Sequence, residues 1–275
     1  MPVSPVDAVL SRLQEPRLAG LDVDTSDMLE VHRQVLAEKP IMRAVFAEFY
    51  DRCMEIDREH GSGDGQRIEI GAGSSLFSER YPEVVATDIK PHPHLDRVLD
   101  AQAMDLEPAS ARAIFGINCF HHLPDPMAFF GELDRVLVPG GTCVLIEPYH
   151  GPVAGAFYAR LFETEGFDRT QQTWEDSDRS IMHGANQALS YIVFERDRAL
   201  FDQRCPRLEV VVEEPLANWP RYLLSGGLNF RQLVPSRSGA RLRQVERLLA
   251  PTRRWLALHH VVALRKRVAP TPSVS

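Results

Sequence analysis

Glu69-Ile70-Gly71-Ala72-Gly73-Ser74-Ser75 sets two glycines between the short strand-like run Arg67–Ile70 and the element that follows it. Glycines in such a turn let a ligand approach the backbone closely, and a helix starting there offers unpaired N–H groups. Asp88 closes the next apolar run, seventeen residues after Gly71. A carboxylate at a strand end can accept the hydrogen bonds of both ribose hydroxyls. Together these features point to a nucleoside-type ligand. A dinucleotide fingerprint would require glycine at position 76, where this chain has Leu76. Glu69 would repel a pyrophosphate, yet it could hold a positive amine. A zwitterionic, sulfonium-bearing ligand fits these residues better than a polyphosphate.

The elements that must position them alternate. Arg67–Ile70, Val84–Asp88, Arg97–Asp100, Ala113–Asn118 and Gly141–Glu147 read as five strands. The fourth and fifth are nearly all apolar, as expected of parallel strands covered on both faces. Met127, Phe130, Leu133 and Leu137 form a helical stripe before Pro139-Gly140-Gly141. Upstream, Pro40 can open a helix with the stripe Ile41, Val45, Phe46, Phe49, Cys53 and Ile56. A preceding helix has Thr25 or Ser26 as its candidate cap, and residues 1–25 read as a loose arm. Strand-like runs return at Leu208–Val212 and Trp255–Leu264, flanking a basic helix near 239–250. The pattern is α/β: an arm and helical cap over 1–64, then one domain over 65–275, with a helical insertion at 151–206 on the acceptor side.

At this point the chain resembles the class I S-adenosylmethionine-dependent methyltransferases, over about residues 65–148. The resemblance rests on Glu69–Gly73, Asp88, Asp100-Ala101, the run Ile114–Asp125 and Leu137–Gly141, with Ser75 where the family usually has a third glycine. It implies a Rossmann-like, mostly parallel seven-stranded sheet of order 3-2-1-4-5-7-6, with helices on both faces. It also implies S-adenosyl-L-methionine as cofactor. Gly71 and Gly73 would line the methionine part, with Glu69 and Ala72 also among the cofactor-binding residues, Asp88 on the ribose and Ile89 on adenine. Asp100 would take the adenine amino group beside the Ala101 backbone, and Asn118 would close the methionine side. The run Arg221–Gly227 resembles such enzymes more loosely, without indicating a substrate.

In methyl transfer the cofactor carries the reactive group, so the protein mainly positions the acceptor. A hydroxyl acceptor also needs a base. The candidates are His121, His122, Glu147, His150 and His183. His121 and His122 follow the fourth strand, and either serves as base or simply orders the loop before Pro124. His150 follows the fifth strand, as base or as a polar loop residue. His183 and Asn186 either shape the acceptor pocket or sit on a solvated loop. Phe46, Phe49 and Tyr50 read as helix packing or a cofactor lid, and Trp174 as a pocket wall or a surface loop. Two rival functions stay open: a nicotinamide-dependent oxidoreductase and a non-catalytic cofactor-binding module.

The net charge of −7 argues against a dedicated nucleic-acid binder. It is unevenly spread: residues 231–275 carry ten Lys or Arg and one acid, Glu246. Beside the aromatic run Trp219–Leu224, that segment suits an anionic or lipid-linked acceptor or a peripheral membrane contact. Otherwise Arg241, Arg243 and Arg247 are the wet face of a helix whose Leu242, Val245 and Leu249 point inward. Four cysteines without C-x-x-C spacing suggest neither a disulfide framework nor a cysteine zinc site, and no metal is expected. The N-terminal residues lack a signal-peptide pattern, so the expected location is the cytoplasm. The sequence leaves the oligomeric state open.

Overall fold

The computed structural model describes residues 12–18, 20–21, 26–161, 166–175 and 185–268. Thr25 and His183 lie outside the described residues. Among the described residues the strands are β1 (Gln66–Ile70), β2 (Val84–Asp88), β3 (Arg97–Val98), β4 (Ala111–Ile117), β5 (Leu137–Pro148), β6 (Leu208–Pro215) and β7 (His259–Lys266). They form one sheet of order β3-β2-β1-β4-β5-β7-β6. The pairings among β1 to β5 are parallel, whereas β7 runs antiparallel to both β5 and β6. The sheet order expected from the resemblance is the observed one. The last strand starts at His259, not at Trp255, because Arg253–Leu256 closes a helical turn that leaves Trp255 59% exposed.

The helices are α1 (Ser26–Glu38), α2 (Pro40–His60), α3 (Phe77–Arg80), α4 (Pro126–Val136), α5 (Pro152–Leu161), α6 (Leu189–Tyr191), α7 (Arg198–Arg204), α8 (Trp219–Leu224), α9 (Gly239–Leu249) and α10 (Arg253–Leu256). A π-helical stretch, Ile192–Arg196, joins α6 to α7. Pro40 sits in the first turn of α2, where its missing N–H leaves no bond unmade. α4 also opens on proline, and Asp125 Oδ1 accepts from Ala128 N at 3.0 Å as its cap.

Each face of the sheet carries a core. One contains Phe120, Phe129, Phe130, Leu133, Phe194 and Phe201 against Ile114, Leu145 and Val262. The other packs Val45, Phe49, Cys53 and Ile56 of α2 on Phe115, Val144 and Val261. Alternate residues of β4, β5 and β7 thus serve opposite cores, which explains their unbroken apolar runs.

Three expectations are corrected. Residues 13–15 do not trail as an arm: Gln14 bridges Phe230, Glu15 N donates to Asn229 O at 2.9 Å, and Arg231 N donates to Leu13 O at 2.7 Å. In α9 the inward residue is Glu246, 4% exposed, while Val245 is 43% exposed. Glu246 is drawn in by Arg221, whose Nε donates to it at 2.7 Å. Trp174 is neither a pocket wall nor a surface residue. It is buried edge-on against Phe130, and its Nε1 donates to Asp197 Oδ2 at 3.0 Å.

Candidate functional site

The strand order reverses between β1 and β4, and the carboxyl ends of these strands open a crevice in which α/β folds bind ligands. A cavity of about 780 Å³ occupies it. Its floor is laid by the β1 turn: Gly71 has φ +62° and Gly73 φ +22°. A Cβ on Gly71 would meet Cys119 Cβ and Sγ at 2.9 Å, so glycine is required there sterically as well as conformationally. Gly73 N donates to Asp88 Oδ2 at 3.0 Å and Lys90 N donates to Asp88 Oδ1 at 3.0 Å. These bonds fix the carboxylate plane at the cavity edge. Ile89, 43% exposed, and the Asp100–Gln102 turn form the adjoining wall. Asp100 Oδ1 accepts from Gln102 N at 2.8 Å.

Asn118 lines the cavity from the end of β4 with φ +51°, in the left-handed region. Its N donates to Ile146 O at 2.8 Å, and its buried Oδ1 has no hydrogen-bond partner. A non-glycine residue held in that conformation, with an orphaned acceptor at a cavity, is a mark of a binding site.

Gly71, Gly73, Asp88, Ile89, Asp100, Ala101, Asn118 and His121 are thus brought together. Glu69 and Ala72 are not on the cavity wall. Glu69, 1% exposed, lies beneath the turn, and burial pushes its carboxyl up to about 8 against the opposing bond from Ser75. Tyr50 braces the same turn, its hydroxyl accepting from Leu76 N at 3.0 Å.

His121 and Glu147 form a buried dyad, with Nδ1 2.6 Å from Oε2. Glu147 Oε1 also accepts from Cys119 N and Phe120 N, each at 2.9 Å. Burial works to raise the Glu147 pKa, but His121 and these two amides outweigh it and hold the group below the usual carboxylate range. His122 lines the cavity beside His121, with ring centroids 4.2 Å apart.

His150 is not part of this site. Its ring stacks on Tyr191 at 4.5 Å and faces a separate cavity of about 680 Å³ with Arg169, Arg254 and Trp255. Burial lowers its pKa to about 4, with Arg169 adding to the effect.

Sequence reasoning missed most of the far wall: Met28, Leu29 and His32 of α1, and Tyr222, Leu223 and Gly226–Phe230 after β6. Lys39 pins that wall by donating to Gly227 O at 3.1 Å and to Phe230 O. Gly226 and Gly227 both have positive φ, which is the physical meaning of the Ser225-Gly226-Gly227 motif. His259 enters the cavity from the start of β7, packed between Phe49 and Tyr222.

Residues 68–145 match the methyltransferase domain family. No curated protein sequence matches the chain. Among solved structures, the chain is similar to the geranyl diphosphate C-methyltransferase from Streptomyces coelicolor A3(2), crystallised with Mg2+, geranyl diphosphate and S-adenosyl-L-homocysteine. The identity is 16% over 97% of this chain and 89% of that one, with a TM-score of 0.50. It is also similar to a putative sarcosine dimethylglycine methyltransferase from Galdieria sulphuraria, at 13% identity over 80% of this chain and 84% of that one, with a TM-score of 0.41. Residues 68–145 thus match a methyltransferase domain, and the sheet has the strand order of the Rossmann-like methyltransferase fold.

Proposed function

We propose that this chain transfers a methyl group from S-adenosyl-L-methionine to a small molecule with a largely apolar body. One observation carries the reading: the glycine turn, Asp88, Asp100, Asn118 and His121, itself held by the buried Glu147, all line a single cavity. The residues fit the cofactor. Asp88 presents a fixed carboxylate for ribose hydroxyls, Ile89 an apolar face for adenine, and Asn118 Oδ1 an unused acceptor. A volume of about 780 Å³ lies within the range of small-molecule sites.

When bound, the cofactor supplies an electrophilic methyl group on a sulfonium. The chain's own residues do the rest. Leu29, Phe157, Tyr158, Tyr222 and Leu223 supply apolar and aromatic walls for the acceptor. His121 is the candidate base: Glu147 holds the Nδ1 side of the ring and stabilises the imidazolium formed when Nε2 takes a hydroxyl proton. His150, in its own cavity, is not assigned this role.

The nicotinamide alternative has less support, because the helix after the turn is only the four-residue α3 and Leu76 is buried. Calorimetry of the full chain with S-adenosyl-L-homocysteine tests the proposal. Binding is expected, and no heat at millimolar concentration would overturn it.

A peripheral membrane contact by the basic segment is a second reading. It is favoured by Leu233, Val245, Leu248 and Trp255, exposed at 50%, 43%, 80% and 59%, among exposed arginines that include Arg241 and Arg247. Among the described residues no helix is long and apolar enough to cross a membrane.

A further inference from the structure

The loop after β2 reads Lys90-Pro91-His92-Pro93-His94. It brings two imidazoles against one carboxylate of α1. Glu30 Oε2 lies 3.3 Å from His92 Nε2 and 3.5 Å from His94 Nε2. The three atoms fall within 4.8 Å of one another. We propose that Glu30, His92 and His94 form a binding site for a first-row divalent cation of the zinc class, joining α1 to the β2–β3 loop.

The two histidine–glutamate spacings are those that a tetrahedral ion needs. With metal–ligand bonds of about 2.0–2.1 Å, neighbouring ligand atoms of a tetrahedron stand about 3.3–3.4 Å apart. Two histidines and one glutamate form a known zinc donor set, and two imidazoles disfavour magnesium and calcium, which take oxygen ligands. His94 is 44% exposed along its side chain, which leaves a fourth position open to water.

The surroundings hold the donors in place. Gln34 Nε2 donates to Glu30 Oε1 at 2.9 Å, so Oε2 is left to face both rings. The His92 side chain is 2% exposed. Pro91 and Pro93 restrict the loop backbone on either side of His92. Ligation through Nε2 puts the ring proton of His92 on Nδ1, so the long 3.4 Å contact from His94 N gives way on binding.

A second group, Glu195, Glu213 and His260, also clusters. It already holds an internal cation, since Arg198 Nη1 lies 3.3 Å from Glu213 Oε2. The His–Glu site matters for the main cavity because α1 contributes Met28, Leu29 and His32 to its wall, and the end of β2 with the loop after it contributes Asp88, Ile89 and Lys90. A bound ion therefore ties two walls of the cavity together.

The test is Co2+ titration of the untagged full chain at pH 7.5 without cofactor, read by visible absorption and stoichiometry, alongside Zn2+ calorimetry. One equivalent with tetrahedral d–d bands is expected. His94→Ala and Glu30→Gln, both at partly exposed positions, should each weaken binding by about tenfold or more. Far-UV circular dichroism confirms that the variants are folded. Zn2+ should raise the melting temperature of the parent chain and not that of His94→Ala. No binding by the parent chain, or equal affinity in parent and variants, overturns the site.

Discussion

His121 Nδ1 and Glu147 Oε2 stand 2.6 Å apart, at the ends of two neighbouring parallel strands and shielded from solvent. The carboxylate also caps the turn Cys119–His121, so one group orders both the loop and the ring. Glu147→Ala leaves these buried donors without an acceptor. Urea unfolding should show a loss of about 3–5 kcal/mol. In proton NMR the downfield imidazole signal of the Nδ1–H should vanish in the same variant.

Asp88→Ala should weaken S-adenosyl-L-homocysteine binding at least tenfold, since hydrogen bonds to a charged group contribute about 1.5–3 kcal/mol each. Asp88→Asn keeps one acceptor and should fall between parent and alanine variant. Calorimetry on the three proteins checks the order, and equal affinities would show that the carboxylate does not meet the ligand.

The features legible in the sequence are those set by short-range pattern. The apolar runs of β4 and β5 and the spacing of Gly71 to Asp88 require only local reading. What was hidden depends on pairings across long stretches of chain. Arg221 reaches Glu246 and Glu48, which makes the inward face of α9 a carboxylate where an apolar stripe was expected. His150 follows β5 as anticipated, but the first residues of α5 and the side chain of Tyr191 place it in a different cavity. The histidines of the Pro-His-Pro-His loop carried no signal alone, because their partner Glu30 lies on a helix some sixty residues upstream.

Stability should fall early in acid. Burial lowers the pKa of His259 and of His260 to about 3, from 6.5. The folded state therefore excludes protons that the unfolded chain takes up, and stability is lost as pH drops below about 6.5. Between pH 7 and pH 5 each ring should contribute a loss of about 2 kcal/mol in urea unfolding. His259→Phe, placed among Phe49 and Tyr222, should remove about half of that decline; an unchanged slope would reject the assignment.

Asp57 is fully buried where α2 meets the amino ends of β1 and β4. Its Oδ2 accepts from Arg67 Nε at 2.9 Å and Arg112 Nε at 3.1 Å. Asp57→Ala strands two guanidinium groups and should cost about 3–5 kcal/mol. Cofactor affinity should be unchanged, because the residue lies at the opposite end of the sheet from the cavity. Chemical denaturation and calorimetry separate the two effects.

The membrane reading is checked by sedimentation with vesicles of phosphatidylcholine alone or with phosphatidylserine. Binding should require the anionic lipid and should weaken in Leu248→Ser, whose side chain is 80% exposed. Protein left in the supernatant with both vesicle types ends that reading.

The reversed direction of β7 divides the basic tail into two populations. Arg253 and Arg254 precede the strand and stay at the ligand edge, where Arg254 lines the His150 cavity. Arg265, Lys266 and Arg267 leave the strand at the far edge, where they are consumed internally: Arg265 and Arg267 by Glu209, Lys266 by the carbonyls of Asp134 and Leu137. The positive excess written in the last forty-five residues is therefore not one field. An anion approaching the open edge meets only the part of it that comes before the turn into the sheet.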